Sequence, residues 1–303
     1  MSGLGRILIE ELQKNGLKAG ITSIGHIGEI KEEIDNLKEQ SLLDGQFCRE
    51  SLHWMNFDPS HTMPHAKSIL VVAYPQLMTM LKFEYHGKNH AVIIPPTYIY
   101  SDVYENVKKI IHQVLTPHQY GIERTKLPAK LLAVRTGLGM YGRNNICYID
   151  GMGSYHRLFT FFTDMPCDED HWRETAVMPE CSKCSACAGA CPTGAIERQR
   201  FLIHAEKCIT YLNEREADFP EWLDKSWHNA VVGCMKCQAV CPKNREFADR
   251  AENEALFKEE ETETILRKVP LEQLPHPLKQ KLDRLDMTEY YNILQRNLSV
   301  LIG

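Results

Sequence analysis

Eight cysteines and their spacing define the chemistry this chain can do. Cys181, Cys184 and Cys187 stand at two-residue gaps, Cys191 follows after three residues and precedes Pro192, and Cys234, Cys237 and Cys241 repeat that ending before Pro242. This is the bacterial spacing for paired [4Fe–4S] clusters, in which three thiolates wrap one cubane and the fourth, held off by three residues and a proline, reaches the other. The second run lacks a leading ligand, and Cys208 supplies it ahead of a long insertion. Cys181, Cys184, Cys187 and Cys241 are thereby assigned to one cluster, and Cys191, Cys208, Cys234 and Cys237 to the other. Zinc would ask for two separate C-x2-C pairs around a tetrahedral ion. Disulfides would ask for an oxidising compartment. Neither explains three evenly spaced thiols closed by Cys-Pro, so the chemistry is electron transfer.

Of the eleven cysteines, Cys48, Cys147 and Cys167 remain. Cys147 lies in the apolar run Ile146-Cys147-Tyr148-Ile149, and all three read as structural filler.

The elements that must position the clusters come from 303 residues, about twice a usual domain. Polar and proline-punctuated sequence over residues 166–180 marks a boundary near 175, and a charged, helical pattern resumes after Pro242. Three consecutive segments are expected: 1–175, 176–250 and 251–303. In the last, the acidic stretch from Glu252 to Glu263 reads as a solvated face. Ahead of the boundary the pattern is α/β. Ile21-Thr22-Ser23-Ile24, Ser68 to Tyr74 and Arg157 to Thr163 read as strands, the second buried on both faces. Ile30, Ile34, Leu37 and Leu42 lie at near-helical spacing, and Val103, Val107, Ile110, Ile111 and Val114 mark a helix stopped by Pro117. So large a first segment is expected to hold a substrate, a second cofactor, or both.

Hydrophobic residues make up 43% of the chain. No apolar run approaches the ~18 residues of a membrane span, and the N-terminal stretch around Ile7-Leu8-Ile9 reads as an amphipathic helix without a signal-peptide core. A cytoplasmic protein with no membrane contact is the expectation.

Gly137-Leu138-Gly139-Met140-Tyr141-Gly142 matches G-x-G-x-x-G. A dinucleotide site needs that motif to follow a strand and open a helix. Here the order reads reversed, with helical character before it and a strand after it at Ile146 to Ile149. The glycines permit positive φ or close approach to a bulky ligand, and Arg143 and Asn144 would add charge and amide donors; a tight connection between helix and strand is the other reading. His61 and His65 are separated by Pro64 and lack a third ligand, so they read as loop.

Several phrases carry a resemblance. Ala133 to Asn144, then Gly153-Ser154 and Phe162-Thr163-Asp164, the cluster run with Pro192-Thr193-Gly194-Ala195-Ile196, Lys207 to Leu212, Gly233 to Gln238, Arg296 to Val300 and Pro64 to Val72 together resemble the epoxyqueuosine reductases. The likeness runs from about residue 20 to the C-terminus and is loose between Gln76 and Thr97. It implies a nitroreductase-like α/β domain (1–175) holding base-off cobalamin and substrate, a ferredoxin-like domain (176–250) with two [4Fe–4S] clusters, and a short helical segment (251–303). It further implies electrons passing from a low-potential donor of flavodoxin or ferredoxin type, through the clusters, to cobalt. The reduced corrin then acts on an epoxide of a modified tRNA base while an acid protonates the leaving oxygen. By the same resemblance Gly137, Gly139, Tyr141, Gly142, Arg143 and Asn144 are the cobalamin contacts. The chain also lacks the D-x-H-x-x-G pattern that supplies a histidine ligand elsewhere, which suits base-off binding.

The family's proton donor is the Asp of an R-D-Y-H stretch, and Asp102 in Tyr100-Ser101-Asp102-Val103-Tyr104 takes its place, with Val103 and Tyr104 departing from the pattern. Asp102 with Glu105 also reads as a helix N-cap with a box-like partner. Tyr98, Tyr100 and Tyr104 are further donors, since a phenol stays protonated at neutral pH. Long members of the family continue past the Arg-Asn-Leu segment into a helical-repeat extension associated with tRNA, whereas this sequence stops at Gly303. The net charge is −5, and Arg198, Arg200 and Lys207 form only a sparse basic patch. Phosphate recognition leans on such residues, which leaves room for a smaller substrate than tRNA. Two alternatives accompany the reductase reading: dehalogenase-like chemistry on an organic halide, and an electron-transfer protein serving a partner such as a corrinoid protein.

Overall fold

The computed structural model of the chain describes residues 3–303. In chain order the elements are α1 (Leu4–Lys14), β1 (Lys18–Ser23), α2 (Ile27–Glu39), α3 (Gly45–Ser51), β2 (Ser68–Pro75), β3 (Met78–Tyr85), β4 (Lys88–Ile94), α4 (Ser101–Leu115), β5 (Ile122–Arg124), α5 (Ala129–Arg135), β6 (Met140–Tyr141), β7 (Cys147–Tyr148), β8 (His156–Thr163), α6 (Ala186–Ala190), α7 (Ile209–Glu214), α8 (Lys236–Ala239), β9 (Ala251–Phe257), α9 (Glu259–Leu266), α10 (His276–Arg284) and α11 (Tyr291–Ile302). They form a mixed α/β fold that gathers into two compact units. The first runs to Pro75, resumes over Asp102–Ser185 and includes Arg198–Leu202; the second comprises Gln76–Ser101, Ala186–Glu197 and Ile203–Gly303.

In the first unit the sheet order is β1-β2-β8-β5, with every neighbouring pair antiparallel. β2 is central because its side chains are apolar on both faces: Ile69, Leu70, Val71, Val72 and Ala73 are all fully buried. One face meets α2 through Ile27, Ile30 and Ile34 and α5 through Leu131, Leu132 and Val134. That helical stripe is the one visible in the sequence, although α2 stops at Glu39, short of Leu42.

The second unit has the sheet β4-β3-β9, in which β9 joins β3 in parallel. Two readings of the sequence differ here. Residues 76–101, expected within the first segment, pack with the C-terminal helices. The start of the acidic stretch is a strand, with α9 beginning only at Glu259. The reason is register: Phe257 is buried and stacks on Phe83 with ring centroids 4.5 Å apart, while Glu254 turns outward to Lys82 at 2.7 Å. Burying a phenylalanine side chain contributes roughly 1.5–3 kcal/mol, more than an exposed ion pair's roughly 0–1 kcal/mol, so apolar pairing sets the strand. Leu278, Leu282, Leu294 and Leu298 of α10 and α11 complete that core.

Candidate functional site

One set of four thiols lies wholly in the second unit. Cys191 follows α6, Cys208 stands at the N-cap of α7, and Cys234 and Cys237 flank the start of α8. The short helices α6 and α8 pack on one another. Cys208 and Cys234 lie within electrostatic range of each other, as do Cys234 and Cys191. Burial pushes the Cys208 thiol up to about 11, opposed by donors at Thr210 and Tyr211. A thiol so placed stays neutral at pH 7 on its own and becomes a thiolate under a metal's positive charge. The donor set therefore fits iron. Among the described residues the eleven cysteines form no disulfide, and no three His, Cys, Asp or Glu side chains close on one point.

The loops carrying Cys208 and Cys234 are held by buried asparagines. Asn213 Nδ2 donates to Gly233 O at 2.8 Å; Asn297 Nδ2, on α11, donates to Asn213 O at 3.0 Å and Val231 O at 2.8 Å. The Arg296 guanidinium lies over the Phe219 ring and donates to the carbonyls of Leu212, Asn213 and Ala217. Gly233 has φ +67, and the Tyr98 ring fills the space a side chain there would need. Only glycine suits the position. The remaining thiols divide between the units, Cys181 and Cys184 in the first and Cys187 and Cys241 in the second.

Arg143 anchors the start of the cluster motif within the first unit. Its Nε donates to Cys184 O at 3.2 Å, and its two terminal nitrogens donate to Cys181 O and Arg198 O. The rest of the glycine loop is closed from inside. The backbone N–H groups of Gly137, Gly139, Tyr141 and Gly142 donate to Val134, Ala133, Ala176 and Ile146. A side chain at Gly139 would strike Cys147 and Tyr148, and one at Gly142 would strike Asn144 and Tyr148. Asn144 is buried, donating to Tyr148 Oη at 3.0 Å. Tyr141 is buried edge-on to Phe201, and burial raises its phenol well above the ordinary value. The loop connects α5 to β7 and opens no helix, so a dinucleotide site is ruled out on geometry. Its backbone donors at Gly137, Gly139, Tyr141 and Gly142 are already bonded to backbone carbonyls, so any ligand there would be met by packing surface and not by these N–H groups.

Asp102 is exposed in the first turn of α4, which starts at Ser101. It is not the N-cap. Asp286 takes that part, accepting from Tyr100 N at 2.6 Å and Ser101 N at 2.9 Å. A partner so distant in sequence leaves no local signal. Tyr98 is buried and donates to Glu214; burial, then the neighbouring carboxylate, raises its phenol well above the ordinary value, and burial raises Glu214 as well. Tyr100 Oη donates to Glu289 at 3.0 Å, and Tyr104 stacks with Phe161. Cys147 is core with its thiol raised to about 12 by burial, whereas Cys48 and Cys167 are only half-buried. His61 and His65 are exposed in irregular chain.

The segment leading to Cys181 is pinned by a histidine held between two carboxylates. His26 Nδ1 meets Glu29 at 2.5 Å and Nε2 meets Asp170 at 2.7 Å, with the ring stacked on Trp172 at 4.3 Å. Burial would lower the imidazole, but hydrogen bonds to the two carboxylates outweigh it and raise its pKa above 6.5. Hydrogen bonds from His26 and Trp172 hold Glu29 low; Asp170 is low despite burial because Thr22 and His26 donate to it. A raised folded pKa gives stability that is complete below the unfolded value and lost as pH rises through the folded one. Thermal stability is therefore expected to fall as pH rises above about 6.5, and His26→Gln to flatten that slope; an unaltered slope would show the network to be inert.

Residues 180–244 match the family described as a 4Fe-4S double cluster binding domain. The chain is 27% identical over 259 residues to the epoxyqueuosine reductase of Bacillus subtilis (strain 168), covering 78% of this chain and 64% of that protein. It is 27% identical over 255 residues to that of Escherichia coli (strain K12), covering 78% and 65%. It thus spans just under two thirds of the length of these relatives. A crystal structure of epoxyqueuosine reductase with a tRNA-Tyr epoxyqueuosine-modified tRNA stem loop superposes with a TM-score of 0.69 at 22% identity, covering 99% of this chain and 80% of that one. At that identity the likeness is one of fold. The chain is homologous over most of its length to proteins named epoxyqueuosine reductase, and it carries a 4Fe-4S double cluster binding domain.

Proposed function

We propose that this chain is an iron–sulfur reductase that removes the epoxide oxygen of a modified tRNA base or a related smaller substrate. Cys181, Cys184, Cys187 and Cys241 would hold one [4Fe–4S] cluster, and Cys191, Cys208, Cys234 and Cys237 the other. The observation that carries the reading is homology to epoxyqueuosine reductases reaching well beyond the double cluster domain. The tRNA stem loop in the structural relative supports the substrate class. Loss of an epoxide oxygen as water consumes two electrons and two protons. The clusters supply the electron route from a low-potential donor of flavodoxin or ferredoxin type, in a cytoplasmic setting. Asp102, exposed on α4, is the proposed proton source. Base-off cobalamin, which the resemblance implies as terminal carrier, would lie against Gly137, Gly139, Tyr141, Gly142, Arg143 and Asn144, and would supply the two-electron reduction of the epoxide carbon.

The test is anaerobic turnover of an epoxyqueuosine-containing tRNA stem loop under a strong reductant, with the nucleoside followed by mass spectrometry. The reading expects loss of one oxygen atom. It also expects Asp102→Asn to slow turnover about 10²–10⁴-fold, the usual reach of a general acid, with iron content unchanged. Undiminished turnover would remove Asp102 from the chemistry. A second reading, an electron-transfer protein serving a partner, draws on the closed glycine loop. Two intact clusters with neither turnover nor corrin retained after gel filtration would select it.

A further inference from the structure

Asn229 lies in the turn before the second cysteine repeat, and both ends of its side chain grip the ligand loop. Nδ2 lies 3.2 Å from Cys234 Sγ and 3.4 Å from Trp227 O. Oδ1 accepts from Met235 N at 2.8 Å. The bond at Oδ1 fixes which way the amide faces, because a flipped amide would set two N–H groups against each other. Sγ here stands for a thiolate bonded to iron, and an N–H donated to it withdraws electron density. That favours the reduced, more negative cluster and raises its reduction potential. The same ligand set has other side-chain donors: Thr193 Oγ1 is 3.5 Å from Cys191 Sγ, and the Thr210 hydroxyl bonds Cys208. Asn229 differs from them in being held at its far end by the backbone of the ligand's own neighbour, so its donor cannot swing away.

We propose that Asn229 sets the reduction potential of the second cluster through its amide N–H to Cys234 Sγ. This rests on the assignment of Cys191, Cys208, Cys234 and Cys237 to one cluster under the proposed function. Raising that potential makes the cluster easier to reduce, where burial alone would oppose the added charge.

An EPR-monitored redox titration of the reconstituted full chain tests it, with Asn229→Leu and Asn229→Asp beside the unmutated protein. Leucine has similar size and no donor, while aspartate keeps the acceptor for Met235 N and replaces the donor by a charge. Both variants are expected to keep the iron and sulfide of two clusters while one potential falls and the other stays. At fixed potential the reduced-to-oxidised ratio of that cluster should drop about tenfold, equivalent to about 59 mV for one electron, and further in the aspartate variant. Unchanged potentials at full iron content overturn the inference. An unmutated protein that assembles only one cluster overturns the ligand assignment and the inference with it. Should both variants lose the cluster, unmutated protein isotopically labelled in its asparagine amide nitrogens decides. Pulsed EPR of the reduced cluster must then show a coupled side-chain nitrogen, and its absence overturns the inference.

Discussion

Cys208→Ser will reduce the protein from two clusters' worth of iron to one and abolish its turnover. Cys208 is the thiol the motif does not announce, standing 26 positions before Cys234, yet in the structure it caps α7 and lies within electrostatic range of Cys234. A serine hydroxyl is a poor substitute for a soft thiolate at iron. Metal analysis of the reconstituted variant should show half the wild-type iron, with the EPR signal of one cluster gone. Cys48→Ser, on a half-buried thiol outside the motif, should leave iron untouched. Full iron in Cys208→Ser would mean that another residue supplies the fourth ligand.

Asn297→Ala is expected to destabilise the second unit by about 1–3 kcal/mol, the cost of leaving the buried Val231 carbonyl without its side-chain donor, while Arg296 still donates to Asn213 O. The side chain is fully buried and bonds both Asn213 O and Val231 O. Those carbonyls belong to the loops carrying Cys208 and Cys234, so the loss should be felt at the cluster. Denaturant unfolding of the loaded protein, followed by its visible absorption, should bleach at lower denaturant than wild type, and bleaching at the same midpoint would show that α11 does not hold the loops. Asn297→Asp is a poor control because it replaces the donor by a buried charge. Asn297→Ser, able to satisfy one carbonyl, should fall between.

How far the residues could be read without the fold varies with distance along the chain. The strand Ser68–Pro75 was visible because five successive apolar side chains demand burial on both faces, and the stripe at Val107, Ile110 and Ile111 announced α4 by its period. The strand at Ala251–Phe257 was hidden. Its glutamates read as a solvated helix until pairing with β3 put Phe257 against Phe83. Asp102 beside Glu105 had the local look of a cap, but the cap comes from Asp286.

The sequence by itself singled out the cysteines proposed to take iron, because cluster ligation is written mainly in intervals of two and three residues. It also determined the central strand and the main helical stripes, because hydrophobic periodicity is local. Only the tertiary structure decided what the glycine loop does, what anchors the ligand loops and which donors reach the thiolates. Asn213, Asn229 and Asn297 are unremarkable polar residues in a row of letters. They acquire roles when the chain is folded, because a buried carbonyl or sulfur must find its hydrogen-bond partner wherever the fold brings one within reach.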